Sequence, residues 1–208
     1  MIASDEIREA ARNKGFPAGV IEKDYALTWL LYGVYNSKLK DILAFKGGTA
    51  LSKIYFPKSW RLSEDLDFTI AESIMPSEIE AMLKESLKTL NEKTGMDFHV
   101  ESFHSNPEHI IISVKFAGPL GKNAIRMDIS LNEKLAARLL KKEIIDGYSD
   151  SKKFSVLVYS LDEILLEKLR SIIQRGKSRD YFDVWMLLKE NKFDKDKIRK
   201  LLIEKCEY

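Results

Sequence analysis

The sequence predicts an α/β (mixed α+β) domain: a mixed β-sheet core preceded by helices and followed by a helical C-terminal part. Three observations carry this. A short apolar run, residues 42–45, meets Gly47-Gly48, and a polar loop then leads to a second strand-like run beginning at Asp65. Strand-like segments recur at 98–103, 110–116 and 124–131, separated by Asn106-Pro107 and Gly118-Pro119. Amphipathic segments of helical period, with capping residues, stand at both ends of the chain.

The 208 residues suffice for one domain, or one core with a helical extension, and for a substantial apolar interior. A net charge of +2 from 34 basic and 32 acidic residues does not by itself point to a polyanionic partner, so any nucleic-acid surface must come from local clustering. The single cysteine, Cys206, excludes an intramolecular disulfide framework and fits a reducing compartment. No apolar run approaches the about 18 residues of a membrane span, and the charged N-terminus lacks a signal peptide's apolar core. A cytoplasmic location is expected.

In chain order, residues 4–14 read as a helix capped by Ser4 and stopped by Gly15 and Pro17. A second helix, 18–36, has a broad apolar face; the charged triplet Glu22-Lys23-Asp24 at its start is expected as a solvated first turn. Residues 77–93 form a helix closed by Gly95. In the segment 124–131, Arg126, Asp128 and Ser130 share one face of a strand, leaving Ile125, Met127 and Ile129 on the other. Asp128 either faces solvent there or joins a metal site. Residues 133–150 have mixed periodicity and yield no element beyond a turn at 147–150. A strand at 154–159 precedes a helix in which Ser160 and Glu163 form a capping box. That helix ends at Gly176, and helices from about 178 and over 195–205 complete the chain.

The chemistry concentrates between residues 43 and 70. Asp65 and Asp67 stand two apart on a strand and so project from one face, about 7 Å apart at Cα. Paired carboxylates repel unless a cation lies between them, and hard oxygen donors suit Mg²⁺, which shares its shell with substrate phosphates. The glycine pair permits a sharp turn and close approach to a ligand, with free N–H groups at a helix expected from Thr49. Later, Lys168 interrupts the apolar stripe Leu161, Leu165, Ile172. It is either a snorkelling lysine or an ammonium held toward nucleotide phosphates. Arg170, Arg175, Lys177 and Arg179 follow as the densest basic run, a solvated face or a surface for NTP or RNA phosphates. Asp180 fits either a helix N-terminus or a site. His99, His104 and His109 form no convincing metal set.

Gly47-Gly48 and Asp65-Leu66-Asp67-Phe68 resemble the signature of the DNA polymerase β-like nucleotidyltransferases. A narrower resemblance, over roughly residues 20–190, is to the AbiEii/AbiGii toxin family. Its residues are Glu22-Lys23-Asp24-Tyr25, the stretch from Phe45 to Leu51, the stretch from Arg61 to Phe68, Glu167-Lys168-Leu169-Arg170, and Arg179-Asp180-Tyr181-Phe182-Asp183. The resemblance implies the nucleotidyltransferase fold, with a core over residues 1–159 and a C-terminal helical region over 160–208 that completes the active site. It implies a metal-dependent enzyme transferring NMP from an NTP, with two Mg²⁺ expected, and a toxin of a toxin–antitoxin or abortive-infection system. Its antitoxin would be a separately encoded transcriptional repressor, and some relatives modify the 3′ end of tRNA. The catalytic set implied is Asp65, Asp67, Lys168 and Asp180, with Asp65 and Asp67 holding Mg²⁺; Asp128, from its place on its strand, is the expected third metal ligand. Lys46, Gly47, Gly48, Thr49, Ser63 and Arg179 would bind the nucleotide. The sixteen residues between Gly48 and Asp65 exceed the superfamily's usual spacing, and Lys58, Trp60 and Arg61 within them would form a substrate-facing flap.

RNA, with tRNA foremost, is the expected acceptor. The same core chemistry also serves a protein hydroxyl or a small molecule. A non-catalytic GTP- or NTP-binding module is the reading from another class, opposed by the presence of both strand carboxylates with Lys168 and Asp180.

Overall fold

The structure, a computed structural model, describes residues 1–57, 61, 63–144 and 147–206. The chain divides into two compact units: Met1–Asn132 with Lys141–Leu157, and Glu133–Leu140 with Val158–Tyr208. Helices α1 (Ser4–Lys14) and α2 (Ala18–Tyr35) come first, then a 3-10 turn (Lys38–Asp41) and β1 (Leu43–Lys46). The short α3 (Gly47–Ala50) runs into a π-helical turn (Leu51–Tyr55), followed by β2 (Asp65–Ile70) and α4 (Pro76–Thr94). Strands β3 (Asp97–Ser105), β4 (His109–Ala117), β5 (Lys122–Ser130), β6 (Leu139–Ile144) and β7 (Phe154–Tyr159) complete a seven-stranded sheet. Its order is β3-β4-β5-β2-β1-β7-β6. The second unit is built from α5 (Leu161–Arg175), α6 (Ser178–Glu190) and α7 (Lys195–Cys206).

The sheet is mixed. Strand β2 pairs antiparallel with β1 and parallel with β5, while β4 pairs antiparallel with both β3 and β5. One face is continuous hydrocarbon: Leu66, Phe68, Ile110, Ile112, Val114, Ile125, Met127 and Ile129 are all fully buried. Helices α2 and α4 pack on one another and against β5 and β3 respectively. Helix α2 is apolar nearly all round, as expected of a helix enclosed on most sides, and from Tyr25 to Leu31 it is buried without interruption. The other sheet face carries Asp65, Asp67, Arg126 and Asp128.

The expected elements are present, with local corrections. Ala3, not Ser4, occupies the cap of α1; Ser4 is already helical, and its hydroxyl accepts from Arg8 Nη1 instead. Helical bonding begins at Gly47 rather than Thr49, and the chain then widens, with Phe56 N–H donating five residues back to Leu51 at 2.8 Å. Ser160 does accept from the Glu163 N–H at 3.4 Å, but the Glu163 side chain does not complete a capping box. Its carboxylate takes the N–H groups of Ala136 and Ala137 and the ammonium of Lys205, which lies 2.6 Å away. The illegible stretch contains β6, the last strand in the sheet order, with Lys141, Lys142 and Glu143 exposed. Charge along an edge strand deters pairing with other chains and erases the alternation by which a strand is read. No helix among the described residues is long and apolar enough to cross a membrane.

The second unit is held by ions as well as hydrocarbon. Lys205 of α7 is fully buried, 2.8 Å from Glu133 and 2.6 Å from Glu163, and donates to the Lys134 carbonyl. Removing one partner of such a group leaves the others charged in a poorly solvating interior. Lys205→Met is expected to destabilise the unit by about 3–5 kcal/mol at pH 7, read by urea unfolding. Adding Glu163→Gln should recover part of that loss, and a single mutant as stable as wild type would show the cluster to be dispensable.

Candidate active site

The first unit gathers most of the sequence-predicted residues around the end of β1. Register aligns Lys46 of β1 with Asp67 of β2, and Asp67 with Asp128 of β5. Asp65 stands opposite Arg126 on the same face. Gly47 has φ +78, a conformation that glycine adopts without steric cost. A Cβ at Gly47 would lie 2.9 Å from Asp67 Cγ and closer still to Oδ2, so the Asp67 carboxylate occupies the space of the absent side chain. Gly48 similarly faces Arg61 Nη2 and Ser63 Oγ, at 3.1 and 3.2 Å from the position a Cβ would take. Thr49 Oγ1 donates to the Asp65 carbonyl, and Lys46 Nζ to Ser130 Oγ at 3.1 Å. Glycine turn, Ser63, Arg61 and the two carboxylates are thus one constellation.

Asp65 and Asp67 are half-buried, with their carboxylates on the open face of the sheet. The third carboxylate of the expected metal set has other engagements: Asp128 lies 3.2 Å from Arg126 and 3.3 Å from His109. Among the described residues no group of three or more His, Cys, Asp or Glu is gathered closely enough to hold an ion. Lys58 and Trp60 of the expected flap lie outside the described residues; Arg61, beside them, faces Gly48.

A buried polar frame supports this constellation. The Glu22-Lys23-Asp24 triplet is not a solvated turn, because Glu22 and Asp24 are only 4% and 8% exposed. Glu22 accepts from the N–H groups of Leu120 and Gly121, filling the space above Gly118 and tying α2 to the β4–β5 turn. Lys23 pairs with Glu64 at 2.9 Å, next to Asp65. Asp24 pairs with Lys53 at 2.7 Å and accepts from Tyr148, while Lys53 donates to Thr28 at 2.7 Å. Burial opposes ionisation of Asp24, but the charge and hydrogen bond of Lys53 prevail and hold its carboxyl below the ordinary aspartate value. Tyr25 completes the frame, donating to Asp150 at 2.7 Å. Sequence reasoning missed Lys53, because a lysine on a short helix signals nothing until the partner on α2 is known.

The second unit holds a separate charged cluster. Lys168 is 7% exposed, with its ammonium 3.3 Å from Asp180 and 2.8 Å from Asp183, both fully buried. It does not snorkel to solvent. Arg175 donates twice to Asp180, from Nε at 2.9 Å and from Nη2 at 3.1 Å. Burial works against ionisation of Asp180, yet Arg175 and Lys168 outweigh it and depress its carboxyl below the usual value. Arg170 is drawn to Glu133 at 2.7 Å, while Lys177 and Arg179 are exposed. The basic run is therefore divided between buried pairing and open surface.

The fold is that of MenT4, a nucleotidyltransferase toxin from Mycobacterium tuberculosis H37Rv, matched with a TM-score of 0.72 at 21% identity over 98% of this chain and 70% of that one. JHP933 from Helicobacter pylori matches with a TM-score of 0.56 at 19% identity over 82% of this chain and 66% of that one. No curated protein matches the sequence. The family model of the nucleotidyl transferase AbiEii toxins of type IV toxin–antitoxin systems matches residues 29–208, and the chain belongs to that family. Family membership implies an NTP substrate and a cognate antitoxin.

Gly47→Ala must accept a left-handed conformation and displace Asp67, so about 1–2 kcal/mol of stability and about a hundredfold of nucleotide transfer should be lost. Gly48→Ala meets only the ends of the Arg61 and Ser63 side chains and should be much milder in both thermal melts and transfer assays. Lys53→Met leaves Asp24 buried without its cation and should cost about 3–5 kcal/mol at pH 7. Because the folded carboxyl is depressed, its stabilisation is present above the unfolded value and lost as pH falls through the folded one. The gap between wild type and Lys53→Met should therefore narrow below about pH 4, as urea midpoints across pH would show.

Proposed function

We propose that this chain is a Mg²⁺-dependent nucleotidyltransferase that moves NMP from an NTP to an RNA acceptor, with the 3′ end of tRNA foremost, and acts as a toxin paired with a cognate antitoxin. The carrying observation is the seating of Asp67 in the space left by Gly47, with Asp65 on the same strand face. The donor set suits the metal: two half-buried carboxylates on one face offer hard oxygens with room for water and phosphate oxygens. Asp65 and Asp67 would hold Mg²⁺, joined by Asp128 if it releases Arg126 and His109. Bound there, Mg²⁺ would neutralise phosphate charge and favour ionisation of the attacking hydroxyl.

The chain's own residues have separable roles in this reading. Gly47 and Gly48 let the triphosphate approach the backbone, and Thr49, bonded to the Asp65 carbonyl, keeps the turn in register with β2. Lys46, Ser63 and Arg61 supply hydrogen-bond donors beside the carboxylates. Within the second unit, Lys168 has its ammonium fixed in direction by Asp180 and Asp183, and Arg179 offers an exposed guanidinium to phosphate. A set that combines paired carboxylates with phosphate donors favours catalysis over mere nucleotide capture.

Incubation with Mg²⁺, each labelled NTP and total tRNA tests this directly. Wild type should label tRNA, and Asp67→Asn should lower labelling by at least about a hundredfold with an unchanged circular-dichroism spectrum. Full activity in Asp67→Asn would remove the metal role. Label on protein or on small molecules, with none in tRNA, would redirect the acceptor.

A further inference from the structure

Helix α6 presents an exposed aromatic face. Tyr181, Phe182, Trp185 and Leu188 are 54%, 39%, 55% and 55% exposed. Their spacing aligns them along one side of the helix, while Asp180, Asp183, Val184, Met186 and Leu187 supply its buried side. The Phe182 and Trp185 rings lie 6.0 Å apart at 47°, and the Lys189 ammonium sits 4.9 Å from the Trp185 ring centroid. Around this face Lys177, Arg179, Lys189 and Lys192 are exposed, against a single exposed acid, Glu190, in the same stretch. The carboxylates of Asp180 and Asp183 are buried and engaged inside the unit, Asp183 by Lys168 and Asp180 by Lys168 and Arg175, so the remaining surface charge stands.

We propose that this face is a stacking platform for unpaired bases of a single-stranded RNA. The assignment rests on the reading of RNA as the acceptor and adds where the chain grips it. Three of the four exposed apolar side chains are aromatic, and every base offers a π-face to such rings regardless of sequence. A rim rich in lysine suits a phosphate backbone, whereas protein-docking patches are depleted in lysine. The Lys189 ammonium beside the indole adds positive charge next to the platform.

The test uses the full chain and a fluorescently labelled, unstructured RNA of roughly ten nucleotides, followed by anisotropy at several salt concentrations. Trp185→Leu should weaken binding about tenfold, whereas Trp185→Phe, which keeps a π-face, should stay within about threefold. Lys177→Gln should lower the slope of log affinity on log salt by about 0.7. Equal binding by Trp185→Leu and wild type would overturn the platform. So would wild-type self-association that Trp185→Leu abolishes while RNA binding is unchanged, which would mark a face for a second copy. The transfer assay separates the two readings. RNA labelling with unchanged kcat/KM in Trp185→Leu would end the platform and leave the acceptor reading standing. Trp185-dependent RNA binding without any labelling of RNA would support the platform and end the acceptor reading.

Discussion

The carboxylate of Asp67 lies where a side chain at position 47 would be, and the first unit is arranged to keep it there. Gly47 must hold a positive φ at the end of β1, and β2 must pair with β1 in the register that sets Asp67 against Lys46. One residue of slip would turn Asp65 and Asp67 into the hydrocarbon face and bring Leu66 out. That slip is resisted by Leu66 and Phe68, buried with Met127 and Ile129 of β5. The apolar face thereby fixes the position of the polar one.

Buried lysine–carboxylate clusters recur in both units. Lys53 meets Asp24 in the first unit; in the second, Lys168 meets Asp180 and Asp183, and Lys205 meets Glu133 and Glu163. Such pairs add little net stability over hydrocarbon, but they make particular arrangements costly to leave. Asp24–Lys53 ties α2 to the helical turn after the glycines, and Lys168 ties α5 to α6. In each case a specific orientation is held near a residue with a proposed chemical role.

Most of the architecture was legible because local patterns agreed with their setting. The period-two alternation of β4 and β5, the left-handed glycines closing α1, α4 and α5, and the apolar stripe of α5 read correctly from sequence. Edge strand β6 was not legible, since exposed Lys141, Lys142 and Glu143 mask its period. Glu22 and Asp24 misled for a related reason: charge at the start of a helix ordinarily faces water, and nothing nearby in sequence announces Gly121 or Lys53 as partners. Glu163 looked like half of a local cap because its partners, Ala136, Ala137 and Lys205, are remote in the chain.

The sequence by itself determined that a glycine turn precedes a strand bearing Asp65 and Asp67 on one side, because strand geometry alone dictates which face residues two apart share. The family motifs located the later lysine and aspartate as well. Only the tertiary structure decided that Asp67 packs on Gly47, that Asp128 is engaged by Arg126 and His109, and that Lys168 is enclosed by Asp180 and Asp183. Those outcomes depend on strand order, register and helix packing. These bring together residues far apart in the chain, and a local pattern has no means of encoding them.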